Sequence, residues 1–176
     1  MNQDVTIGID PGLDGAIAII DGRTDVRPSE LFKETGRAIV IHDVPAFAAK
    51  TGRSYDIQAM LGILRPYDGE GARVFLEKVH SMPDQGVASS FTFGVGFGIW
   101  QGILAALGMQ HTLVTPQRWK KVCLADVAKN NDAAEAAHAA RLYPAASALI
   151  RGPRGGLKTG RVDALLIAHY GVVTSA

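Results

Sequence analysis

The sequence predicts an α/β fold: a mixed five-stranded sheet with helices on both faces. Three observations carry that expectation. Apolar runs suited to strands occupy 4–10, 14–21 and 38–44, separated by turn residues or a polar stretch. Two further runs, 72–79 and 111–115, then alternate with segments of helical periodicity. Finally, 176 residues fit one domain spanning 1–176, and 47% hydrophobic with 20% charged residues is an ordinary globular composition.

Taken in order, DVTIGID (4–10) reads as a buried strand that stops at Asp-Pro-Gly, a turn signal. DGAIAIID (14–21) and AIVIHDV (38–44) follow as strands, and the polar connection 22–37 makes the three an antiparallel meander. YDIQAMLGILRP (55–66) has apolar residues at 57, 60, 61 and 64, one face of a helix that Pro66 ends. ARVFLEKV (72–79) is a strand with Glu77 near its end. Residues 88–107 form a helix and HTLVT (111–115) a short strand. Thr115 and Pro116 are the N-cap and first residue of the next helix. A helix over 131–143 leads into a Pro/Gly/basic loop, 144–160, and the last helix covers roughly 161–173.

Several classes are disfavoured. One cysteine, Cys123, excludes an internal disulfide and a zinc cluster, which points to a reducing compartment. No basic-then-apolar export signal opens the chain, so the expected location is cytoplasmic (a bacterial or phage-infected cell) or organellar, not secreted. Residues 87–109 approach membrane-spanning length, but Ser89, Ser90, Thr92, Gln101 and the lack of basic flanks argue against a membrane. Gly94, Gly98 and Gly102 fall on one helical face. Interior helical glycine costs about 1 kcal/mol against alanine, so close approach is expected: a core partner, a dimer partner or a DNA strand.

Charge is unevenly spread. Residues 1–115 hold 9 Lys/Arg against 13 Asp/Glu, whereas 116–162 hold 9 against 3. That basic segment suits phosphate binding, although a solvated basic loop would look the same.

Three acids stand out. Asp10 ends the first, central-looking strand; Glu77 interrupts an apolar strand; Asp163 opens an apolar helix. Each has an ordinary alternative: a turn former, an edge-strand charge and a helix-dipole partner. Together they match the demands of phosphodiester hydrolysis. That reaction needs an activated water and a stabilised leaving oxygen, and carboxylates converging on two magnesium ions provide both. Asp14, Asp21 and Asp43 are weaker candidates, and His80 and His138 lack metal-like spacing.

At these residues the sequence resembles the RuvC-type Holliday junction resolvases, in particular their phage and organellar branch. The matching motifs are IGIDPGLDGAIAIID (7–21), VFLEKVHSMPDQGVASSFTFGVGFG (74–98), VTPQRWKK (114–121) and GRVDALLIAHYG (160–171). The resemblance implies an RNase H-like fold, two Mg²⁺ or Mn²⁺ ions per site, and a homodimer that makes paired 5′-phosphate nicks across a four-way junction. It implies Asp10, Glu77 and Asp163 as metal-binding acids. It places the loop 80–86, with His80 and Gln85, at the junction centre, and the helix from Ser89 at the dimer contact and DNA approach. One departure is plain. The family commonly carries an Asp or His three or four residues before the last acid, where this chain has Gly160 and Thr159, preceded by Lys158. The second metal is then held more weakly, Lys158 supplies charge instead, or activity is altered.

Lys120, Lys121, Lys129, Arg154, Lys158 and Arg161 are the expected phosphate contacts, with Lys50 and Arg53 reaching a second DNA arm. Trp119 is either a core residue or a base-stacking one. Three rivals stay open: a broader nuclease on branched DNA or RNA–DNA hybrids, a non-catalytic junction-binding protein, and an actin-like ATPase or sugar kinase. The last requires a second related domain that the chain lacks, so no nucleotide cofactor is expected. Recombination, phage genome debranching and organelle DNA segregation all fit.

Overall fold

The computed structural model describes residues 5–22, 38–50, 52–68, 71–78 and 87–175. In chain order the elements are β1 (Val5–Ile9), β2 (Ala16–Asp21), β3 (Ala38–Asp43), β4 (Ala46–Ala48), β5 (Arg53–Tyr55), α1 (Ile57–Leu64), β6 (Arg73–Glu77), α2 (Val87–Ala106), β7 (His111–Val114), α3 (Pro116–Cys123), α4 (Asp132–Leu142) and α5 (Thr159–Thr174). Five strands form one mixed sheet in the order β3-β2-β1-β6-β7. β1, β2 and β3 run antiparallel, whereas β1–β6 and β6–β7 are parallel pairs. β1 is therefore central, and β1 and β6 end side by side.

Strand alternation divides the core. Val5, Ile7, Ile9, Ile17 and Ile19 face one way, onto Met60, Leu64, Trp100 and Leu104 of α1 and α2. Ala16, Ala18, Ile20 and Phe75 face the other, onto α3, α4 and α5. On that second face β1 presents Gly8. A Cβ there would collide with the backbone of Ala164 and Ala168, one turn apart on α5, so the missing side chain lets the helix lie directly on the central strand. Gly8→Ala is expected to destabilise the protein by about 1–3 kcal/mol through overpacking. A urea midpoint equal to wild type would contradict that packing.

Local signals account for most element ends. Asp56, Thr115 and Asn131 cap α1, α3 and α4, each accepting from the backbone N–H three residues on. Pro66 does not simply end α1; it sits in a 3-10 turn, Arg65–Tyr67, appended to it. The β4–β5 hairpin was not expected, because three-residue strands carry no readable period; Gly52 supplies the positive φ (77°) between them. α5 starts at Thr159, two residues before the expected boundary, and lacks a side-chain cap to announce it. Asp163 thus lies beyond the first turn, where a dipole role no longer explains it.

Among the described residues nothing comes close to Gly94, Gly98 or Gly102, so the core partner expected for that helix face is not found there. Gly96 is the tight one, packed against Tyr55 and the Pro11 carbonyl. Among the described residues, no helix is long and apolar enough to cross a membrane.

Candidate metal centre

The topology brings the three acids to one end of the sheet. Asp10 leaves the C-terminal end of β1, and the register Ile9↔Leu76 puts Glu77, the last residue of β6, beside it. Asp163 precedes Ala164, the α5 residue seated against Gly8. Asp10 Oδ1 accepts a hydrogen bond from Gly12 N–H at 3.3 Å. Glu77 Oε1 accepts one from the Trp119 indole N–H at 2.8 Å. Trp119 is fully buried, so it belongs to the core and is not exposed for base stacking.

Electrostatics mark the cluster as short of positive charge. Burial, reinforced by Glu77 and Asp163, pushes Asp10 up to about 8 from its ordinary 3.8. Burial pushes Asp163 up to about 7, with Glu77, Glu135 and Asp132 adding to the rise and Lys120 opposing it. Glu77 is also raised by burial, against the pull of Trp119 and Lys120. A divalent cation would relieve all three, and carboxylate oxygens are the donors that Mg²⁺ and Mn²⁺ prefer. As the side chains stand, no three His, Cys, Asp or Glu among the described residues are gathered closely enough to hold a metal ion. Closing a ligand set therefore requires the carboxylates to turn toward a common point.

Access is by a cleft of about 480 Å³ between the β1–β2 turn, α2 and the start of α5; its lining includes Asp10, Arg53, Phe93, Thr159 and Asp163. Lys120 is partly buried and reaches toward the acids, 3.4 Å from Glu135 Oε2 and 5.1 Å above the Trp119 ring. Together with Lys121 and Lys129 it lines a second hollow of about 630 Å³ between α3 and α4. Lys50 and Arg154 are exposed. Arg53 pairs with Asp14 at 2.6 Å across open surface. Lys158 stands 3.9 Å from Asp43.

Arg161 differs from the other basic residues. Its Nε and Nη2 hold Asp43 at 2.6 and 2.9 Å, and Nη1 donates to the Leu149 and Arg151 carbonyls. All three guanidinium nitrogens are engaged inside the protein, which makes Arg161 a structural staple in this conformation. His80 and Gln85 lie outside the described residues, as does the side chain of Ser89, whose backbone is in the first turn of α2.

Glu135 and the Trp119 hydrogen bond did not emerge from the sequence as parts of the site, and Lys120, expected there only as a phosphate contact, stands beside the acids as well. Glu135 sits in an alanine-rich helix where a charge reads as solvated, and only tertiary packing turns it inward.

No protein-family model matches the sequence, and no curated protein matches it. Solved structures do. RuvC of T. thermophilus in complex with a Holliday junction substrate superposes with a TM-score of 0.55 at 11% identity, covering 97% of this chain and 94% of that one. A second Thermus thermophilus RuvC structure gives 0.54 at 14% identity, covering 97% and 96%. At that identity the likeness is one of architecture. The chain thus shares the fold of these two RuvC structures, an RNase H-like mixed sheet covered by helices, over nearly its whole length and theirs.

Proposed function

We propose that this protein is a metal-dependent endonuclease that nicks branched DNA, four-way junctions above all, leaving 5′-phosphate ends. The observation that supports the reading is electrostatic: Asp10, just past the end of β1, feels both Glu77 of β6 and Asp163 of α5. Asp10 and Asp163 also line the open cleft. These three would hold the metal. A bound Mg²⁺ or Mn²⁺ supplies an activated water and stabilises the departing 3′ oxygen. The chain's own residues do the rest. Asp10 and Asp163 present their carboxylates to the cleft as metal ligands, Trp119 fixes one oxygen of Glu77, and the packed β1–α5 contact keeps the backbones that carry Asp10 and Asp163 together.

Lysines on α3 and the following loop, with Arg154 and Lys158, serve as phosphate contacts in this reading, with Lys50 and Arg53 on a second arm. In the same reading His80 and Gln85 serve the junction centre, and Ser89 the approach of DNA to α2. A homodimer forms through α2, where Phe91 is 72% exposed beside the open glycine face. Paired nicks across a junction need such a dimer.

The test is a nicking assay with Mg²⁺ comparing four-way junctions, flaps, RNA–DNA hybrids and plain duplex. Preference for the junction is expected. Equal cutting of flaps or hybrids would move the reading to a broader nuclease, and binding without cutting to a junction-binding protein. The last alternative has one observation in its favour, the missing fourth acid. Removing two phosphate contacts with Lys121→Ala/Lys129→Ala should reduce the slope of log affinity against log salt by about 2. An unchanged slope would take both lysines off the DNA.

A further inference from the structure

The position three residues before Asp163 is tightly packed. Gly160 is buried, and a Cβ there would strike the Asp14 carbonyl oxygen and come within 2.8 Å of Gly15 Cα. Both atoms are backbone, in a turn tied by Gly15 N–H to Gly12 O at 2.9 Å and by Val44 N–H to Gly15 O at 3.1 Å. A carboxylate or imidazole at 160 would have to displace this hydrogen-bonded turn, so the packing disfavours a ligand there. Thr159 offers only a neutral hydroxyl.

On the far side of Asp163 lies a small cavity of about 40 Å³, lined by Lys120, Asp132, Glu135, Thr159, Val162 and Asp163. The Lys120 side chain is 43% exposed, but its ammonium lies 3.4 Å from a carboxylate only 8% exposed and 5.1 Å from the centre of the indole ring that itself holds Glu77. Lys158, the nearer lysine in sequence, leans instead toward Asp43 at 3.9 Å. A second divalent ion beside Asp163 would share this space with a positive charge that has a buried anchor.

We propose that Lys120 takes the place of a second cation: the centre accepts one divalent ion on Asp10, Glu77 and Asp163, and the ammonium supplies the other positive charge. This rests on the metal-centre reading above. The ammonium gives a charge that needs no fourth ligand, which is the compensation the packing at Gly160 calls for. It also restrains metal affinity, because like charges repel across a partly buried site.

The experiment is a Mn²⁺ titration of the DNA-free full chain, read by the electron paramagnetic resonance of the free ion. One Mn²⁺ per wild-type chain is expected; two would overturn the proposal. Lys120→Met is expected to bind Mn²⁺ roughly tenfold more tightly, and its single-turnover nicking at saturating DNA and metal to fall about 10²-fold. Because that variant strands Glu135, Lys120→Met/Glu135→Gln removes the whole pair and should show the same tightening. Unchanged Mn²⁺ affinity in both variants, or undiminished nicking, overturns the proposal. Asp10→Asn separates the two claims. If it binds Mn²⁺ as well as wild type, the metal-centre reading itself fails, whatever Lys120 does.

Discussion

Replacing Asp10 with Asn should abolish nicking, by about 10³-fold or more, while leaving junction affinity within a few-fold of wild type. The side chain keeps its shape and its oxygen can still accept the Gly12 N–H, so the β1–β2 turn has no reason to move. What disappears is a charge, and that charge is costly to the empty protein: burial and two neighbouring acids already push Asp10 up to about 8. The same substitution should therefore raise the melting temperature of the metal-free protein at pH 8, by about 2–6 °C. Gain of stability with loss of function in one variant distinguishes a metal-site carboxylate from a structural one. Loss of both, or retained cleavage, would remove Asp10 from the site.

A pH series on metal-free protein should show stability falling as pH rises from about 5 to 8.5. The sign follows from the direction of the shifts. Asp10 and Asp163 hold protons in the folded state up to about 8 and 7, but in the unfolded chain release them near 3.8. The folded state thus binds more protons across that window, and each pH unit climbed there costs stability. The stabilising contribution is complete below the unfolded value and gone above the folded one. At 1.36 kcal/mol per unit the two groups set an upper bound of about 7 kcal/mol over this window, which solvent screening of these half-buried carboxylates lowers to roughly 2–5 kcal/mol. Asp43, held low by its hydrogen bond to Arg161, works in the opposite direction and titrates below this range. Added Mg²⁺ requires the deprotonated acids, so the stabilisation it confers should grow with pH. Urea midpoints in chelator and in Mg²⁺ at three pH values measure both trends. A flat chelator series would mean that the acids are not buried and mutually repelling as the fold places them.

Much of this was readable before any coordinates. Strands β1, β2 and β6 are dense in Ile, Val and Leu, and each acid was conspicuous because it ends, interrupts or opens an apolar run. The hairpin of Ala46–Ala48 and Arg53–Tyr55 was not readable, since its strands are short and mostly exposed and lean on neighbouring structure for their shape. Nor was the environment of Glu77. A tryptophan in VTPQRWKK offers no local sign that its N–H will end on a carboxylate 42 residues earlier in the chain. Gly160 shows the difference most clearly. In the sequence it is a ligand gone missing, whereas in the fold it is a position where a side chain would have to push the Asp14–Gly15 backbone aside.

The Arg161 staple has a consequence for how nucleic acid would be met. It fastens the stretch before α5 to the end of β3, and the stretch itself closes on its own backbone, Lys158 N–H to Ile150 O at 3.0 Å and Gly152 N–H to Gly156 O at 2.8 Å. Arg154 and Lys158 therefore project from a rigid bracket bolted to the sheet's rim. A duplex arm landing there would meet side chains whose backbone is already set, so ordering on contact would be confined to the side chains themselves.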